Sequence, residues 1–446
     1  MNKKMYLVSL GCSKNLVDSE LMLGLLQEDG FSICQDPDEA GLLLVNTCGF
    51  IGSAVEEAID EILALGQYKK DDPEKILVVT GCLVQRYGRE IQKELPEVDL
   101  FVGTDGFQDI IKLLKDLGPD AGPCLSLSAP TFLMNSAQPR QISTPAHRAY
   151  LKITEGCDNR CSYCLIPTIR GRMRSRTVID LLNETRRLAD NGVKELTLIA
   201  QDLLAYGLDL DSKDNIMTLL KSLLAGCDIP WLRLLYLNPA RIKPALLSYI
   251  AANQRIVPYL DIPIQHVSDR ILHLMNRPYG RADIERLLST IRQTMPDAAL
   301  RTTMMVGFPG ESDADLAQME EFLLAARFDH LGVFSYSQEE GSRAASLPGQ
   351  CSAAEKEERN RRIMAAQADI SREKLQAYIG KTEKVIVEGI SRESELLLEG
   401  RTRYQAADID GCVYINSGTT VPGEIVNVKI TDAHTYDLVG EIIEDS

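Results

Sequence analysis

Three apolar runs near the start of the chain each end in a cysteine: MYLVSLGC at Cys12, LLLVNTC at Cys48 and ILVVTGC at Cys82. A second group, Cys157, Cys161 and Cys164, is compressed into EGCDNRCSYC. Cysteines four and three residues apart can point into one loop cavity, and three thiolates can bind three irons of a cubane cluster. Structural zinc and a simple electron-transfer cluster both call for a fourth protein ligand, and none stands nearby. One iron is thereby left open to an exogenous chelate; zinc and inert thiols are the competing readings. For Cys12, Cys48 and Cys82 the gaps of 36 and 34 residues are too long for a loop motif. Their common feature is position, each at the end of an apolar strand. A parallel sheet brings three neighbouring strand ends within about 10 Å at its ~4.8 Å strand spacing. A second three-cysteine cluster is the reading this favours, against coincidental or catalytic thiols.

These sites require elements to hold them. Residues 5–118 alternate apolar runs (YLVSL, LLLVN, ILVVT, DLFVG) with segments of helical period, which predicts an open parallel α/β sheet with functional groups at the carboxyl ends of its strands. From 119 to 147 the text turns rich in Pro, Gly, Ser and Ala and reads as a linker between domains. A second βα series follows, with strands at AYLKIT, ELTLIAQ, WLRLLYL, YLDIPIQ, LRTTMMVGF and HLGVFSY. Six repeats are fewer than the eight of a closed barrel and predict a partial (β/α)6 barrel, open on one side to a large substrate. Residues 353–378 form a long charged spacer helix, and beyond it five short strands of period two suggest a small antiparallel, OB-like β-barrel. The expected units are 1–118, the linker 119–147, 148–378 with its spacer helix, and 379–446.

Composition narrows the class. With 446 residues and 45% apolar content the chain can build several packed cores. Eleven cysteines in so large a chain do not read as a disulfide framework, and in a reducing compartment clustered thiols hold metal or do redox work. Cys34, Cys124, Cys227, Cys351 and Cys412 fall in no pattern and read as buried inert thiols. The apolar part of MNKKMYLVSLGC is shorter than a signal core, with Lys14 and Asp18 following at once, and no stretch is long enough to span a bilayer. No membrane association and a cytoplasmic location are expected. A formal charge of −16 argues against non-specific attraction to a polyphosphate and favours a basic partner.

C-x-x-x-C-x-x-C just after the first strand of a βα barrel resembles the radical S-adenosylmethionine superfamily. The resemblance implies that the open iron binds the amino and carboxylate groups of the cofactor, and that a reduced cluster cleaves it to a deoxyadenosyl radical that abstracts hydrogen from carbon. It also implies an electron donor such as a flavodoxin or ferredoxin. It sets Tyr163 against the adenine, with a core tyrosine as the alternative. Val306 and Gly307, ending the fifth strand, lie near the adenine in the superfamily, while Gln201 and Asp202, ending the second, contact the methionine part. SLGCSKNLVDSE, VNTCGFI and TGCLVQRY, with the second cysteine group and a terminal small barrel, are similar to the methylthiotransferases. In that family an N-terminal cluster domain, a radical barrel and a TRAM domain attach a methylthio group to unactivated carbon. The resemblance thus implies two 4Fe-4S clusters held by Cys12, Cys48 and Cys82 and by Cys157, Cys161 and Cys164. It implies two molecules of S-adenosylmethionine, one to methylate a sulfur and one to make the radical.

One branch of the family modifies a transfer-RNA adenosine; another modifies an aspartate of small-subunit ribosomal protein twelve. LGCSKNLVDSE, IAQDLLAYG, YLDIPIQHVSDRIL and FSYSQEEGSRAA resemble the second branch, with Asp202 and His266 where the RNA enzymes tend to carry Asn and Ser. Ser13 and Gln338 depart from it, standing where that branch often has proline. Residues 381–446 hold six Lys/Arg and thirteen Asp/Glu, a charge that suits a basic ribosomal protein, free or on the assembled subunit, better than RNA. A merely solvated acidic surface is the bland alternative, and RNA contact is secondary. Arg170, Arg172, Arg174 and Arg176 in IRGRMRSR could bind phosphate, hold carboxylates of cofactor or target, or pair with acidic neighbours. Gly207 and the GFPGE segment lack the pattern of a phosphate loop. His266 could carry a proton or be a hydrogen-bonded structural histidine. A non-catalytic iron-sulfur protein that binds ribosomes is the reading from another class.

Overall fold

The structure, a computed structural model, describes residues 2–118 and 122–443. Residue 1, the linker positions 119–121 and the terminal 444–446 of the third predicted unit lie outside the described residues.

The first sheet contains β1 (Lys4–Ser9), β2 (Ser32–Ile33), β3 (Leu42–Thr47), β4 (Ile76–Gly81), β5 (Leu100–Val102) and β6 (Cys124–Ser126), in the order β2-β1-β3-β4-β5-β6 and wholly parallel. β3 is buried at every position, as a strand covered on both faces must be. β1, β3 and β4 are adjacent, which is what the cysteine reading required. The helical-period segment LVQRYGREIQKEL falls in two helices, Cys82–Tyr87 and Arg89–Glu94, broken at Gly88 with φ 45°. The segment read as a linker is more ordered than its composition suggested. Cys124–Ser126 adds the sixth strand, Phe132 and Met134 enter the core, and Arg140 forms buried pairs with Glu20 and Glu184, each at 2.6 Å. Proline and glycine there leave the backbone free to lie along the surfaces it joins.

The second sheet takes β7 (Arg148–Lys152), passes a small hairpin of β8 (Thr154–Glu155) and β9 (Arg174–Ser175), and continues through β10 (Glu195–Ile199), β11 (Trp231–Leu234), β12 (Ile256–Asp261), β13 (Ala299–Val306) and β14 (His330–Ser335). Its six strands run β7-β10-β11-β12-β13-β14, all parallel and unclosed, the predicted partial barrel. The helix Ala353–Gln376 is more than a spacer. It lies along β14, with Asn360 donating to Val333 O, buried Gln367 donating to Phe328 O, and Lys374 2.6 Å from Asp329.

The third unit is a closed barrel of β15 (Thr382–Ile390), β16 (Leu398–Thr402), β17 (Val413–Ser417), β18 (Ile425–Ala433) and β19 (Leu438–Ile442). Its neighbours are antiparallel except β17 and β19, which are parallel. Five strands cannot alternate in direction around a closed ring, so one parallel pair is obligatory. This barrel meets the second sheet at the strand starts. Arg148, first in β7, pairs with Asp408 at 2.6 Å, and Glu195, first in β10, with Arg401 at 2.5 Å. Glu388, Asp410 and Glu424 likewise face His147, Arg301 and Lys194, so part of the acidic charge serves docking between units.

Candidate functional site

The loops after β1, β3 and β4 bring Cys12, Cys48 and Cys82 to one edge. Cys12 caps the helix Ser13–Glu28, Cys48 follows β3 directly, and Cys82 opens the helix Cys82–Tyr87. Two glycines let these loops touch. A Cβ on Gly11, at φ 93°, would stand 2.9 Å from Cys48 Cβ, and one on Gly49 would stand 2.6 Å from Leu83 Cα. Asn15 ties the loops by donating to Leu10 O (3.1 Å) and Thr47 O (2.9 Å), and its Oδ1 lies 3.7 Å from Cys82 Sγ. Cys12 is solvent-accessible yet densely surrounded, as at the floor of a recess. Burial pushes its thiol up, but Lys14, Arg170 and the N–H groups of Asn15 and Lys14 outweigh that, leaving it below the usual range. Burial pushes Cys82 up to about 12 despite Arg170, and raises Cys48.

Cys157, Cys161 and Cys164 leave the end of β7 and line one cavity of about 150 Å³ together with Tyr163, Gln201, Asp202, Tyr236, Gln265 and Arg277. Cys161 Sγ accepts from Arg277 at 3.2 Å and Cys164 Sγ from the Ile166 N–H at 3.4 Å. Burial raises Cys157 to about 11 and Cys164 to about 12. Metal binding would displace these protons. Asp202 Oδ2 accepts from Asn159 (2.8 Å), Asn238 (2.9 Å) and Arg241 (3.1 Å), while Oδ1 is buried without a hydrogen bond among the described residues. Tyr163 packs on the Phe308 and Tyr336 cluster.

The two cysteine groups are joined through buried charge. Arg170, six residues after Cys164, reaches back to Asp18 (2.9 Å), Glu155 (3.1 Å) and Asn15 Oδ1 (2.5 Å); Lys152 adds contacts to Asp18 and Glu155. On the other flank Arg86 meets Glu339 at 2.7 Å, and Glu339 also accepts the Gly52 N–H at 2.8 Å.

Several sequence expectations take a different form. Of the three readings of the arginine run, pairing with acidic neighbours holds for Arg170 and Arg176, which are buried in ion pairs, Arg176 with Asp180 (2.7 Å) and Glu184 (2.5 Å), while Arg174 donates to backbone carbonyls. Arg172 alone extends into solvent, beside Asp158. Residues two apart would share one face of an extended strand, but Arg170 caps the helix Ile166–Ile169 and Gly171, at φ 74°, turns the chain, so the arginines reach different partners. His266 is fully buried away from the cavity, its Nδ1 accepting from Ser268 N–H and its Nε2 3.4 Å from Glu311, which marks it as structural. Val306 and Gly307 do not line the cavity; Val306 lies in the barrel core, and the Gly307 N–H is taken by Glu311. The five unpatterned cysteines are half-buried rather than buried. Sequence reasoning missed Arg277, Asn159, Asn238, Tyr236 and Asn15. Only Asn159 and Asn15, inside the cysteine motifs themselves, carried a local signal.

The donor chemistry fits two clusters and a zwitterionic ligand. Among the described residues no three His, Cys, Asp or Glu converge tightly enough to hold a single metal ion. Thiolates of a cubane bind separate irons and need no such point of convergence. Each trio is a soft donor set, and the unsatisfied Asp202 Oδ1 offers an acceptor beside the second.

Comparison with known proteins extends this geometry. Residues 4–103 match the "Uncharacterized protein family UPF0004", residues 151–323 the radical SAM superfamily and residues 379–443 the TRAM domain. The chain is 55% identical over 440 residues, 99% of both chains, to "Ribosomal protein uS12 methylthiotransferase RimO" of Desulfotalea psychrophila. Proteins of the same name from Citrifermentans bemidjiense (46% over 442 residues, 99% of both chains) and Pelobacter propionicus (48% over 443 residues, 99% of this chain and 98% of that one) are similar throughout. Among solved structures, the radical S-adenosylmethionine methyltransferase TsrM from Kitasatospora setae, with cobalamin and a 4Fe-4S cluster bound, aligns with TM-score 0.54 at 15% identity over 75% of each chain. The cobalamin-dependent radical enzyme OxsB aligns with TM-score 0.52 at 12% identity, covering 82% of this chain and 56% of that one. These two likenesses show the fold.

Proposed function

Because the chain belongs to the RimO family of ribosomal protein uS12 methylthiotransferases, we propose that it modifies an aspartate of uS12 and that its two cysteine trios hold the clusters required. It is a radical S-adenosylmethionine methylthiotransferase, using that cofactor and 4Fe-4S clusters. Cys12, Cys48 and Cys82 would hold one cluster, and Cys157, Cys161 and Cys164 the other. The observation that carries this assignment is a pair of three-thiol sets without a fourth protein ligand among the described residues, tied to each other through Arg170. When bound, the clusters and cofactor supply the reductive bond cleavage, hydrogen abstraction and sulfur transfer that put a methylthio group on the aspartate β-carbon.

The chain's own residues orient and seclude. Asp202, fixed by Asn159, Asn238 and Arg241, offers Oδ1 to the cofactor's ammonium, with Gln201 beside it. Tyr163 walls the adenine side. Gln265, bridged to Met304 of β13, lines the cavity, whereas Val306 and Gly307, whose backbone groups are taken by Tyr336 and Glu311, stand outside it. Arg277 donates to Cys161 Sγ and orients a ligand. The working units are 1–118, 148–378 and 379–446, joined by 119–147. A flavodoxin or ferredoxin supplies the electron, RNA contact is subordinate to protein contact, and modification takes place in the cytoplasm. Support for the location is the ribosomal substrate, together with the finding that no helix among the described residues is long and apolar enough to cross a membrane.

The test is to incubate the reconstituted enzyme with uS12 and, separately, with transfer RNA under strong reduction. Methylthio mass on uS12 alone is expected. The same mass on a transfer-RNA adenosine instead would overturn the substrate, and absence of deoxyadenosine would point to a non-catalytic ribosome-binding protein.

A further inference from the structure

Lys14 is a buried cation that no carboxylate among the described residues pairs with. It stands two residues after Cys12 in the helix Ser13–Glu28 and is 4% exposed. Burying an ammonium is costly unless an anion compensates it. Asp18, four residues on in the same helix, already holds Lys152 and Arg170. The Lys14 ammonium instead stands 3.4 Å from the centre of the Tyr236 ring, over its face.

Tyr236 is itself unusual. It adopts φ 64°, a left-handed conformation that a bulky residue avoids. Its N–H donates to Asp261 Oδ2 at 2.9 Å and its carbonyl accepts from Leu203 at 3.1 Å, which hold the residue in place. The ring lines the cavity of Cys157, Cys161 and Cys164. Strain held in this way aims a side chain at a functional site. The ammonium therefore stands two residues from Cys12 and against Tyr236, which lines the cavity of the other trio. An ammonium has three donors, and one ring face does not satisfy them all.

Resting on the aspartate reading above, we infer that Lys14 binds the side-chain carboxylate of the target aspartate and so selects that residue. The carboxylate is one bond from the β-carbon, so holding it fixes the carbon that must face both trios. It also gives the ammonium a carboxylate, which no described residue supplies.

The test uses reconstituted holoenzyme and two labelled uS12 peptides, one with the target aspartate and one with asparagine there, whose affinities are read by fluorescence anisotropy. The wild type should prefer the aspartate peptide by about tenfold, as expected for a hydrogen bond between charged groups. Lys14→Met should bring the ratio to about one, and Lys14→Arg should keep most of the preference. Iron per chain and thermal midpoint report folding, and Lys14→Gln reads the same ratio if the methionine variant is unstable. An unchanged ratio in Lys14→Met or Lys14→Gln, or no preference in the wild type, overturns the inference. Loss of iron with the ratio intact would assign Lys14 to balancing cluster charge and overturn it too. Failure of the wild type to add a methylthio group to uS12 is a different result, which sinks the substrate reading itself.

Discussion

Cys161 and Cys48 differ in what their loss should do. Cys161→Ala removes one of the three thiols proposed to hold the cluster at the second cavity, so deoxyadenosine formation should stop. Cys48→Ala should leave that cleavage in place and end methylthio transfer; chromatography of the nucleoside and mass spectrometry of uS12 separate the two. Full product from Cys48→Ala would refute the sulfur-delivery role. Gly11 shows how backbone serves the same site, because at φ 93° a side chain there is strained and strikes Cys48. Gly11→Ala should cost about 1–3 kcal/mol and lower iron occupancy at the first trio while sparing the second. Reconstitution followed by iron assay checks it.

At the scale of elements, the terminal barrel is held to the second sheet by a buried network of Glu195, Arg233, Arg401 and Glu388. Burial works to raise both carboxyls. The hydrogen bond from His147 and the guanidiniums of Arg401 and Arg148 overcome it at Glu388, and Arg401 and Arg233 do so at Glu195, each carboxyl falling to about 2. Both folded values lie below the ordinary 4.5, so the network's contribution is complete above that pH and is lost as pH falls toward about 2. Glu195→Gln should flatten this dependence in thermal unfolding followed through that range. The network lies at the strand starts, whereas Cys157 and Gln201 follow the strand ends. A five-residue strand such as β10 separates those levels by about 17 Å. The barrel therefore docks on the second sheet at a distance from the cysteine cavity.

For the whole molecule, the first sheet is clasped to the second on two flanks, by Arg170 with Asp18 and by Arg86 with Glu339. Glu339→Ala would leave Arg86 buried and unpaired, a loss of about 3 kcal/mol at that contact. Hydrogen exchange should rise around Gly52 and Arg86, and uS12 modification should fall more than cofactor cleavage, because only the former needs both trios in register. Equal loss of the two activities would refute the clasp. The sequence by itself determined the βα alternation, the third barrel and both trios, because strand runs and cysteine spacing are local patterns that the backbone must obey. Tertiary structure alone decided the rest. The long helix became a cover for β14, the linker gained a strand, and Arg170 was drawn from a suspected phosphate patch into the bond between domains. Tyr236 and Asn238 joined the cavity from the loop after β11, and Arg277 from the turn after the helix Asp269–Leu274. Lys14 differs from any surface lysine only in what surrounds it. Those outcomes depend on which buried charges meet, and partners such as Arg170 and Asp18, 152 residues apart, leave no periodic trace in the chain.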